Sequence, residues 1–343
     1  MTILKYNMVL FGLLMLLTLS AAASLSVGAH RISVEEMLRV LMPVSAEDET
    51  NRSILLDIRA PRVILAIMVG GSLAIGGAIL QGLFRNPIVD PGFIGLSSGA
   101  SLAASLYIVF SAHVPFFANL FGAHALPVAA FSGAITACII VARIGSVRGK
   151  TTITVLLLAG VAITALAEAG TGILSFLATD AQLRSLTFWR LGSLGGATWV
   201  LLGSVFAFFI LPVLFLPYLS RGLDLFALGE REAGHLGLRT ELFKNLAMAV
   251  TCLLVGAAVS ASGTISFVGL VVPHILRLAF HPSHRFLLPA SGLLGGSLML
   301  LADLAARTIA APTEVPIGIL TALLGAPFFL WLFRRQRAEG FTA

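Results

Sequence analysis

The sequence predicts an all-α polytopic membrane protein, a single transmembrane domain over residues 1–343 with about ten transmembrane helices. Three observations support this class: 58% of the residues are hydrophobic, only 11% are charged, and the mean hydropathy is +0.99. Soluble domains carry charge on about a quarter of their residues. This composition therefore excludes a soluble enzyme and makes the lipid bilayer the solvent for most side chains.

Ten apolar segments supply the predicted spans, judged against the ~20 residues that cross about 30 Å of hydrocarbon. They lie near residues 8–28, 63–82, 93–111, 125–142, 153–177, 198–217, 243–261, 265–280, 287–305 and 316–333. The first is long enough to be a retained helix, although an alanine triplet at 21–23 also allows a cleaved signal peptide. Gly263, Gly269 and Pro273 interrupt the seventh and eighth, which is tolerated where neighbouring helices satisfy the freed backbone groups.

Two kinds of small residue inside the spans are expected to serve packing. Glycines recur in the second span at positions 70, 71, 76 and 77, which is typical of helices that approach each other closely in lipid. Cys138 and Cys252 both fall in apolar runs, and nothing near them has metal-ligand spacing. Both cysteines are therefore predicted to be small core residues.

Basic residues indicate how the chain crosses the membrane. With both termini in the cytoplasm, most Lys and Arg residues fall in inner loops, as the positive-inside rule requires. The formal net charge of +6 is explained in this way, so no nucleic-acid partner is expected. The sequence thus predicts a multi-pass protein of the cytoplasmic membrane with an even number of spans.

One long polar segment, residues 218–244, interrupts the apolar chain. Within it Leu225, Leu228, Ala233 and Leu236 recur at roughly helical spacing, and glycines divide the run. This pattern predicts one or two short helices outside the bilayer, with an apolar stripe and a charged face. Loops of this length are usually functional, and an apolar stripe in water needs a partner. A solvated loop between two spans is the alternative.

No arrangement of residues in the sequence indicates an enzyme. The stretch from Arg143 to Thr152 approaches a phosphate-binding loop, but Ile144 occupies the position of its first glycine. The stretch also links two membrane helices, whereas a phosphate-binding loop follows a strand. Any ATP hydrolysis is therefore assigned to another chain, and neither catalytic nor metal-ligating residues are predicted.

Two acids, Glu168 and Asp303, fall inside predicted spans. A charge at that depth costs roughly 2.5–3.5 kcal/mol on insertion scales, so such residues face a partner or a polar path. Arg307 stands one turn from Asp303 and is a possible partner. Structural hydrogen bonding and proton transfer are both open for these acids.

A series of motifs recurs in order from about residue 56 to residue 335. They are RAPR at 59–62, GGSLAIGGAILQGLFRNPIVDPGFIGLSSGA at 70–100, LLLAGVA at 156–162, LGEREAGHLG at 228–237, FVGLVVPHILR at 267–277, HRFLLPAS at 284–291, LLADLAAR at 300–307 and EVPIGILTALLGAPFFLWL at 314–332. Together they resemble the permeases of type II ABC importers, which carry cobalamin, haem and iron–siderophore complexes. The pair Val89-Asp90 departs from the residues that the family often has there.

The resemblance implies a cobalamin-permease-like fold with short cytoplasmic coupling helices and no catalytic activity. Such a permease works as a homodimer in a bacterial cytoplasmic (inner) membrane, with two cytoplasmic ATPase subunits and a periplasmic or surface-anchored binding protein. ATP and Mg would bind the ATPase subunits. This chain would hold no cofactor, and haem or a ferric chelate would be the transported ligand.

The resemblance also assigns residues to two contact surfaces. Contact with the ATPase falls to Leu228, Gly229, Glu230, Glu232, Ala233, Leu236 and Gly237. Docking of the binding protein falls to Arg59, Arg62 and Arg307, whose exposed guanidinium groups would pair with glutamates on its two lobes.

The transported ligand is inferred from residues 183–199, LRSLTFWRLGSLGGATW, which resemble the matching outer segment of haem permeases. Phe188 and Trp189 would suit the macrocycle of haem, and Arg190 would suit its propionates. With Glu168 and Thr154 they are the candidate residues of the translocation path. Haem is the predicted ligand, and a ferric siderophore or cobalamin is the alternative. An ion-coupled secondary transporter, with the buried acids as carriers, is the rival class, although it needs no docking surface at 218–244.

Overall fold

The computed structural model describes residues 3–28, 32–39, 46–111, 115–147, 150–280 and 283–338. In chain order its first α-helices are α1 (Ile3–Ser26), α2 (Val34–Arg39), α3 (Ala46–Ser53), α4 (Ala60–Phe84), α5 (Leu96–Phe110), α6 (Pro115–Phe121), α7 (Ala125–Gly145) and α8 (Ile153–Leu177). They continue with α9 (Asp180–Leu191), α10 (Trp199–Val213), α11 (Leu216–Ala227), α12 (Glu230–His235), α13 (Thr240–Ser262), α14 (Val268–Phe280), α15 (His284–Thr308) and α16 (Ile317–Ala338). A π-helical turn (Ile54–Arg59) precedes α4, 3₁₀ turns occupy Pro91–Ile94 and Gly122–His124, and two short antiparallel strands, β1 (Ser146–Val147) and β2 (Lys150–Thr151), lie between α7 and α8.

The lengths of the apolar helices confirm the predicted all-α polytopic class. Within the described residues, six helices are long and apolar enough to cross a membrane: α1, α4, α7, α8, α13 and α15. Three shorter apolar helices, α5, α14 and α16, and the bent pair α10–α11 fill the remaining predicted positions. The apolar segments of the sequence therefore correspond one by one to helices of the structure.

The sixth span ends earlier than the sequence predicts. The helix axis turns by 46° between α10 and α11, because Pro212 lies in the last turn of α10 and Pro217 in the first turn of α11. The predicted span over 198–217 thus gives way to a second helix at residue 216. The polar segment consequently starts as a helix that leaves the direction of the span.

Helix α4 is the centre of the fold, since 83% of its most apolar stretch is buried. It packs most extensively on α15. The two backbones meet where a Cβ added to Gly70 would lie 2.2 Å from the Gly295 carbonyl oxygen. A second contact brings Gly77 against Gly269 of α14, with a Cβ-to-oxygen distance of 1.8 Å. Neither position has room for a side chain, so these glycines serve the close packing that the sequence indicates.

Both cysteines are buried in the core, as predicted, and they also form a disulfide with each other, which the sequence does not indicate. Cys138 of α7 and Cys252 of α13 have a Cα–Cα distance of 6.6 Å. Their helices are neighbours in the bundle, and Gly256 of α13 lies against the ring of Phe131 of α7. The cysteines are 114 residues apart in the chain. Their pairing depends on which helices pack together, and spacing along the sequence does not reveal that.

Candidate coupling and docking sites

The polar segment folds into two short helices, α11 and α12, which we call the coupling segment (residues 216–237). Helix α11 buries Leu219, Leu223 and Phe226 against the bundle. Helix α12 lies between Gly229 and Gly237, whose φ angles are 122° and 92°. Side-chain-bearing residues rarely adopt such angles. The two glycines therefore set the direction in which α12 leaves α11 and returns towards α13.

The predicted apolar stripe of the coupling segment is divided between two surfaces, which corrects the sequence prediction. Leu228 and Leu236 are 63% and 59% exposed, whereas Ala233 is fully buried. The chain turns at Gly229, so residues on either side of it do not continue one helical face. Glu232 is exposed on the same short helix. The surface available to a partner therefore contains Leu228, Leu236 and Glu232 and does not include Ala233.

Lys244 is the anchor of the coupling segment. Its side chain is 1% exposed, and its Nζ lies 2.6 Å from Oε1 of Glu230, 2.7 Å from Oε1 of Glu241 and 2.8 Å from the carbonyl oxygen of Thr151. An ammonium group has three N–H donors, and all three find an acceptor here. Glu241 also accepts a hydrogen bond from the Thr151 amide at 3.0 Å. The cluster joins α12, α13 and β2.

Glu230 has a structural contact in addition to its predicted role in contact with the ATPase. Its carboxylate binds Lys244, yet its side chain is 42% exposed, and Glu232 on the same short helix is exposed as well. Glu230 therefore helps to hold α12 in place, and both acids stay accessible to a partner. In the sequence Glu230, Glu232 and Lys244 are all charged residues of one polar loop. Their positions along the chain do not indicate that Glu230 and Lys244 belong to a buried cluster.

A second contact ties the coupling segment to α15. One oxygen of Asp224, Oδ1, accepts the backbone N–H of His284 at 2.7 Å and lies 2.8 Å from its ring Nδ1. The carboxylate thus caps the start of α15, where the helix dipole favours negative charge. A Cβ at Gly82 of α4 would lie 2.7 Å from His284 Nε2. Helices α4, α11 and α15 therefore meet at this histidine.

The three predicted docking arginines lie at the opposite end of the bundle, but their guanidinium groups are buried. Arg59 and Arg62 are 5% and 9% exposed, and the side chain of Arg307 is 9% exposed. Arg59 donates to the carbonyl of Leu25, and Arg307 donates to the Ser24 carbonyl at 2.5 Å. The expectation of exposed arginines is therefore wrong for this conformation, because the end of α1 covers two of them.

Arg62 binds two carboxylates at once. Its Nη2 lies 2.9 Å from Asp303 Oδ1 and 2.9 Å from Glu314 Oε2, and its Nη1 lies 2.8 Å from Glu314 Oε1. The predicted pair of Asp303 with Arg307 is also present, at 3.5 Å. We call Arg62, Asp303, Arg307 and Glu314 the arginine cluster. Asp303 is 1% exposed, so its charge is balanced entirely by protein groups.

Glu314 is the exposed edge of the arginine cluster. Its side chain is 45% exposed, against 11% for that of Arg62, and it lies in the connection between α15 and α16. Hydrogen bonds from Arg62 hold the pKa of the Glu314 carboxyl below its usual range. A carboxylate of another protein could reach Arg62 only by taking the place of Glu314.

The candidate path residues are only partly brought together. Arg190 of α9 pairs with Glu168 of α8 at 2.8 Å, and both side chains are close to half exposed. Phe188 is 56% exposed, while Trp189 is half-buried and lines a cavity of about 590 Å³ beside α10 and α13. Thr154 lies at the other end of α8, about 21 Å from Glu168 at 1.5 Å per residue. Thr154 and Glu168 are therefore not in contact, although a path across about 30 Å of hydrocarbon is long enough to include both.

The chain is similar to known transport proteins over nearly its whole length. A model of the FecCD transport family matches residues 14–335. The chain is 44% identical over 328 residues to the hemin transport system permease protein of Yersinia pestis, and the match covers 95% of each protein. It is 41% identical over 293 residues to the cobalamin import system permease protein of Halobacterium salinarum, covering 85% of this chain and 76% of that protein. A solved structure described as an inward-facing metal-chelate type ABC transporter superposes with a TM-score of 0.84 at 32% identity, covering 96% of this chain and 99% of that one.

The Lys244 cluster generates a stability prediction. Replacing both countercharges, Glu230→Gln with Glu241→Gln, leaves a buried ammonium without an anion and should lower the free energy of unfolding by about 3 kcal/mol. Trypsin should then cut faster after Arg231 in the coupling segment and after Arg239, which follows it. Adding Lys244→Met removes the stranded charge and should restore much of the loss. Thermal unfolding in detergent measures all three variants.

The control for that experiment is Glu232→Gln, which neutralises an exposed acid of the same segment. Its melting temperature should stay within a degree or so of the wild type, since surface changes usually cost less than about 0.5 kcal/mol. A double Gln variant that melts like the wild type would show that Lys244 does not anchor α12.

Proposed function

The chain belongs to the FecCD transport family, and from that premise we propose that it transports an iron-containing chelate into the bacterial cytoplasm, with haem as the leading candidate. It is the permease subunit of a type II ABC importer. It is not catalytic, because a separate subunit of such importers hydrolyses ATP. The family resemblance carried by the sequence motifs is thereby confirmed.

The coupling segment is the observation that carries the ATP-driven role. It presents Leu228, Glu232 and Leu236 at the surface. Lys244 and Asp224 tie it to α13 and α15. An ATPase subunit that docks on α12 would therefore displace helices of the bundle whenever ATP closes the ATPase pair. An ion-driven transporter has no use for such a surface.

The two acids that would serve an ion-coupled transporter already have partners. Asp303 is held by Arg62 and Arg307, and Glu168 is held by Arg190. A carboxylate that neutralises an arginine leaves that arginine uncompensated each time it binds a proton. Both acids thus support a structural role and disfavour the rival class.

The complete importer is proposed to contain two copies of this chain, two cytoplasmic ATPase subunits that bind ATP and Mg, and a periplasmic or surface-anchored binding protein. No cofactor is assigned to the chain itself. Both termini are proposed to lie in the cytoplasm, which would place the coupling segment beside the ATPase. Helix α8 exposes Leu158, Leu166 and Phe176 by 66–87%, an apolar face that suits lipid or the second copy.

Haem is the ligand that the sequence of α9 favours. The hemin permease is 44% identical to this chain and the cobalamin permease 41%, so identity alone separates them little. Phe188, Trp189 and Arg190 are consecutive residues of α9 and point in different directions around the helix, but they place two aromatic rings and a cation close together in the chain, which suits a macrocycle with carboxylates. Cobalamin and ferric siderophores are the alternatives. Similarity to the cobalamin permease supports cobalamin, and similarity to the metal-chelate transporter supports a siderophore.

The binding protein is proposed to dock on Arg59, Arg62 and Arg307 through exchange at the arginine cluster. A glutamate of the binding protein would replace Glu314 on Arg62, since both offer a carboxylate to the same planar fork. Asp303 would keep the other side of Arg62 during that exchange. The arginines therefore need not leave the protein core to take part in docking.

Replacing Glu232 with Arg tests the coupling assignment. The change places a positive charge on the exposed face of α12 and should weaken binding of the ATPase subunit by about tenfold or more, because like charges across an interface cost several kcal/mol. Haem uptake by proteoliposomes should fall in parallel, with an unchanged melting temperature. Glu49→Arg, an exposed acid far along the chain from α12, is the charge-matched control. Unchanged ATPase binding in Glu232→Arg would refute the assignment.

The ligand prediction is tested with the complete importer in nanodiscs. Its own binding protein, loaded with haem, should stimulate ATP hydrolysis, whereas the same protein offered cobalamin or a ferric siderophore should not. The measured quantity is the rate of ATP hydrolysis with the loaded binding protein divided by the rate with the empty binding protein. Stimulation by cobalamin or by a siderophore, with none by haem, would reverse the order of ligands.

Glu314→Gln tests the exchange at the arginine cluster. Loss of the competing carboxylate should tighten docking of the binding protein about two- to fivefold, in line with ~0.5–1 kcal/mol for an exposed ion pair. The affinity should also weaken as salt rises. Arg62→Ala is a poorer test, because it strands the buried Asp303. Glu49→Gln serves as control, and an unchanged affinity in Glu314→Gln would contradict the exchange.

A further inference from the structure

A cleft of about 390 Å³ lies where α10 turns into α11 and packs beside the start of α15. We infer that this cleft binds an anionic phospholipid, with the phosphate on Arg221 and Arg285 and an acyl chain along the apolar wall. Its floor consists of Leu216, Pro217, Leu288 and Pro289. The leaflet in which the lipid lies follows from the orientation under the proposed function.

The charged side of the cleft is built from two arginines on different helices. Arg221 belongs to α11 and Arg285 to the first turn of α15, and both side chains are exposed. Within the described part of the chain neither guanidinium has a hydrogen bond or an ion pair. Asp224 attracts Arg285 electrostatically, but its Oδ1 is already occupied by His284. Two planar guanidinium groups suit a phosphate, whose oxygens accept from both.

The apolar side of the cleft faces the hydrocarbon. Next to it, Leu211 in the last turn of α10 is 54% exposed, and Leu214 and Phe215 in the turn that follows α10 are 69% and 45% exposed. Such large apolar side chains sit in lipid in a membrane protein. A soluble anion would use the arginines and leave the apolar wall uncovered. A phospholipid fits both sides, because its phosphate and acyl chains meet at the depth where the span ends and the charged segment starts.

The depth of the site suits anionic lipid in particular. Basic pockets between membrane helices on the cytoplasmic side bind anionic headgroups, and each nearby Lys or Arg contributes about 1 kcal/mol. The cleft also lies at the 46° bend that separates α10 from α11. A lipid bound there would brace α11 against α15 beside the Asp224–His284 contact. The lipid would thereby help to set the angle at which the coupling segment leaves the membrane.

Native mass spectrometry of the purified permease, without ATPase subunits, tests the site. Dioleoyl phosphatidylglycerol should bind in preference to dioleoyl phosphatidylcholine. Arg221→Gln with Arg285→Gln should weaken phosphatidylglycerol binding by about 25-fold, about fivefold for each charge. Arg221→Lys with Arg285→Lys should keep most of the preference. The matched control is Arg231→Gln with Arg239→Gln, two exposed arginines of the polar segment that do not line the cleft, and it should bind like the wild type.

Four results would overturn the inference. Wild-type preference in the double Gln variant would show that the cleft does not hold the headgroup, and an equal loss in the control would indicate unspecific surface charge. Displacement of the lipid by millimolar glycerol phosphate would indicate a phosphate site without a role for the acyl chain. Normal lipid binding by the double Gln variant, together with a loss of ATPase binding measured in a separate experiment, would assign the arginines to the partner protein. The lipid measurement needs no ATPase, so it is independent of whether ATP-driven transport, measured separately by uptake, is correct.

Discussion

A charge buried in a bilayer-embedded protein must be neutralised inside the protein, because neither lipid nor water can do so. Lys244, 1% exposed, meets this requirement with two carboxylates and a carbonyl oxygen. Asp303, 1% exposed, meets it with Arg62 and Arg307. Each set draws together segments that are distant in sequence. The buried charged groups therefore fix the positions of the polar segments at the two ends of the helix bundle. The two candidate sites are built around these groups.

Helices α4 and α15 connect those ends. Helix α15 has 25 residues and is about 37 Å long at 1.5 Å per residue. Near its start His284 holds Asp224 of the coupling segment, and near its end Asp303 holds Arg62 of α4. Between them Gly70 and Gly295 bring the backbones of the two helices into close contact. Helices α4 and α15 therefore form a continuous packed connection from the coupling segment to the arginine cluster.

The sequence reveals the parts of this arrangement that depend on neighbours along the chain. The apolar runs give every span, the glycines of α4 give its close packing, and Arg307 one turn from Asp303 gives one ion pair. Contacts between distant segments could not be predicted. Arg62 is 241 residues from Asp303, Lys244 is 93 residues from Thr151, and the paired cysteines are 114 residues apart. The division of the apolar stripe between α11 and α12 could not be predicted either. A prediction from periodicity assumes one continuous helix, whereas the chain turns at Gly229.

In the proposed mechanism ATP, acting through the coupling segment, drives transport by this chain. Uptake of haem into proteoliposomes that contain the permease, its ATPase and its binding protein tests it most directly, with proton and sodium gradients collapsed by ionophores. We expect uptake that depends on internal ATP, persists without gradients, and is lost in Glu232→Arg. Uptake that needs a gradient and proceeds without the ATPase subunits would contradict it.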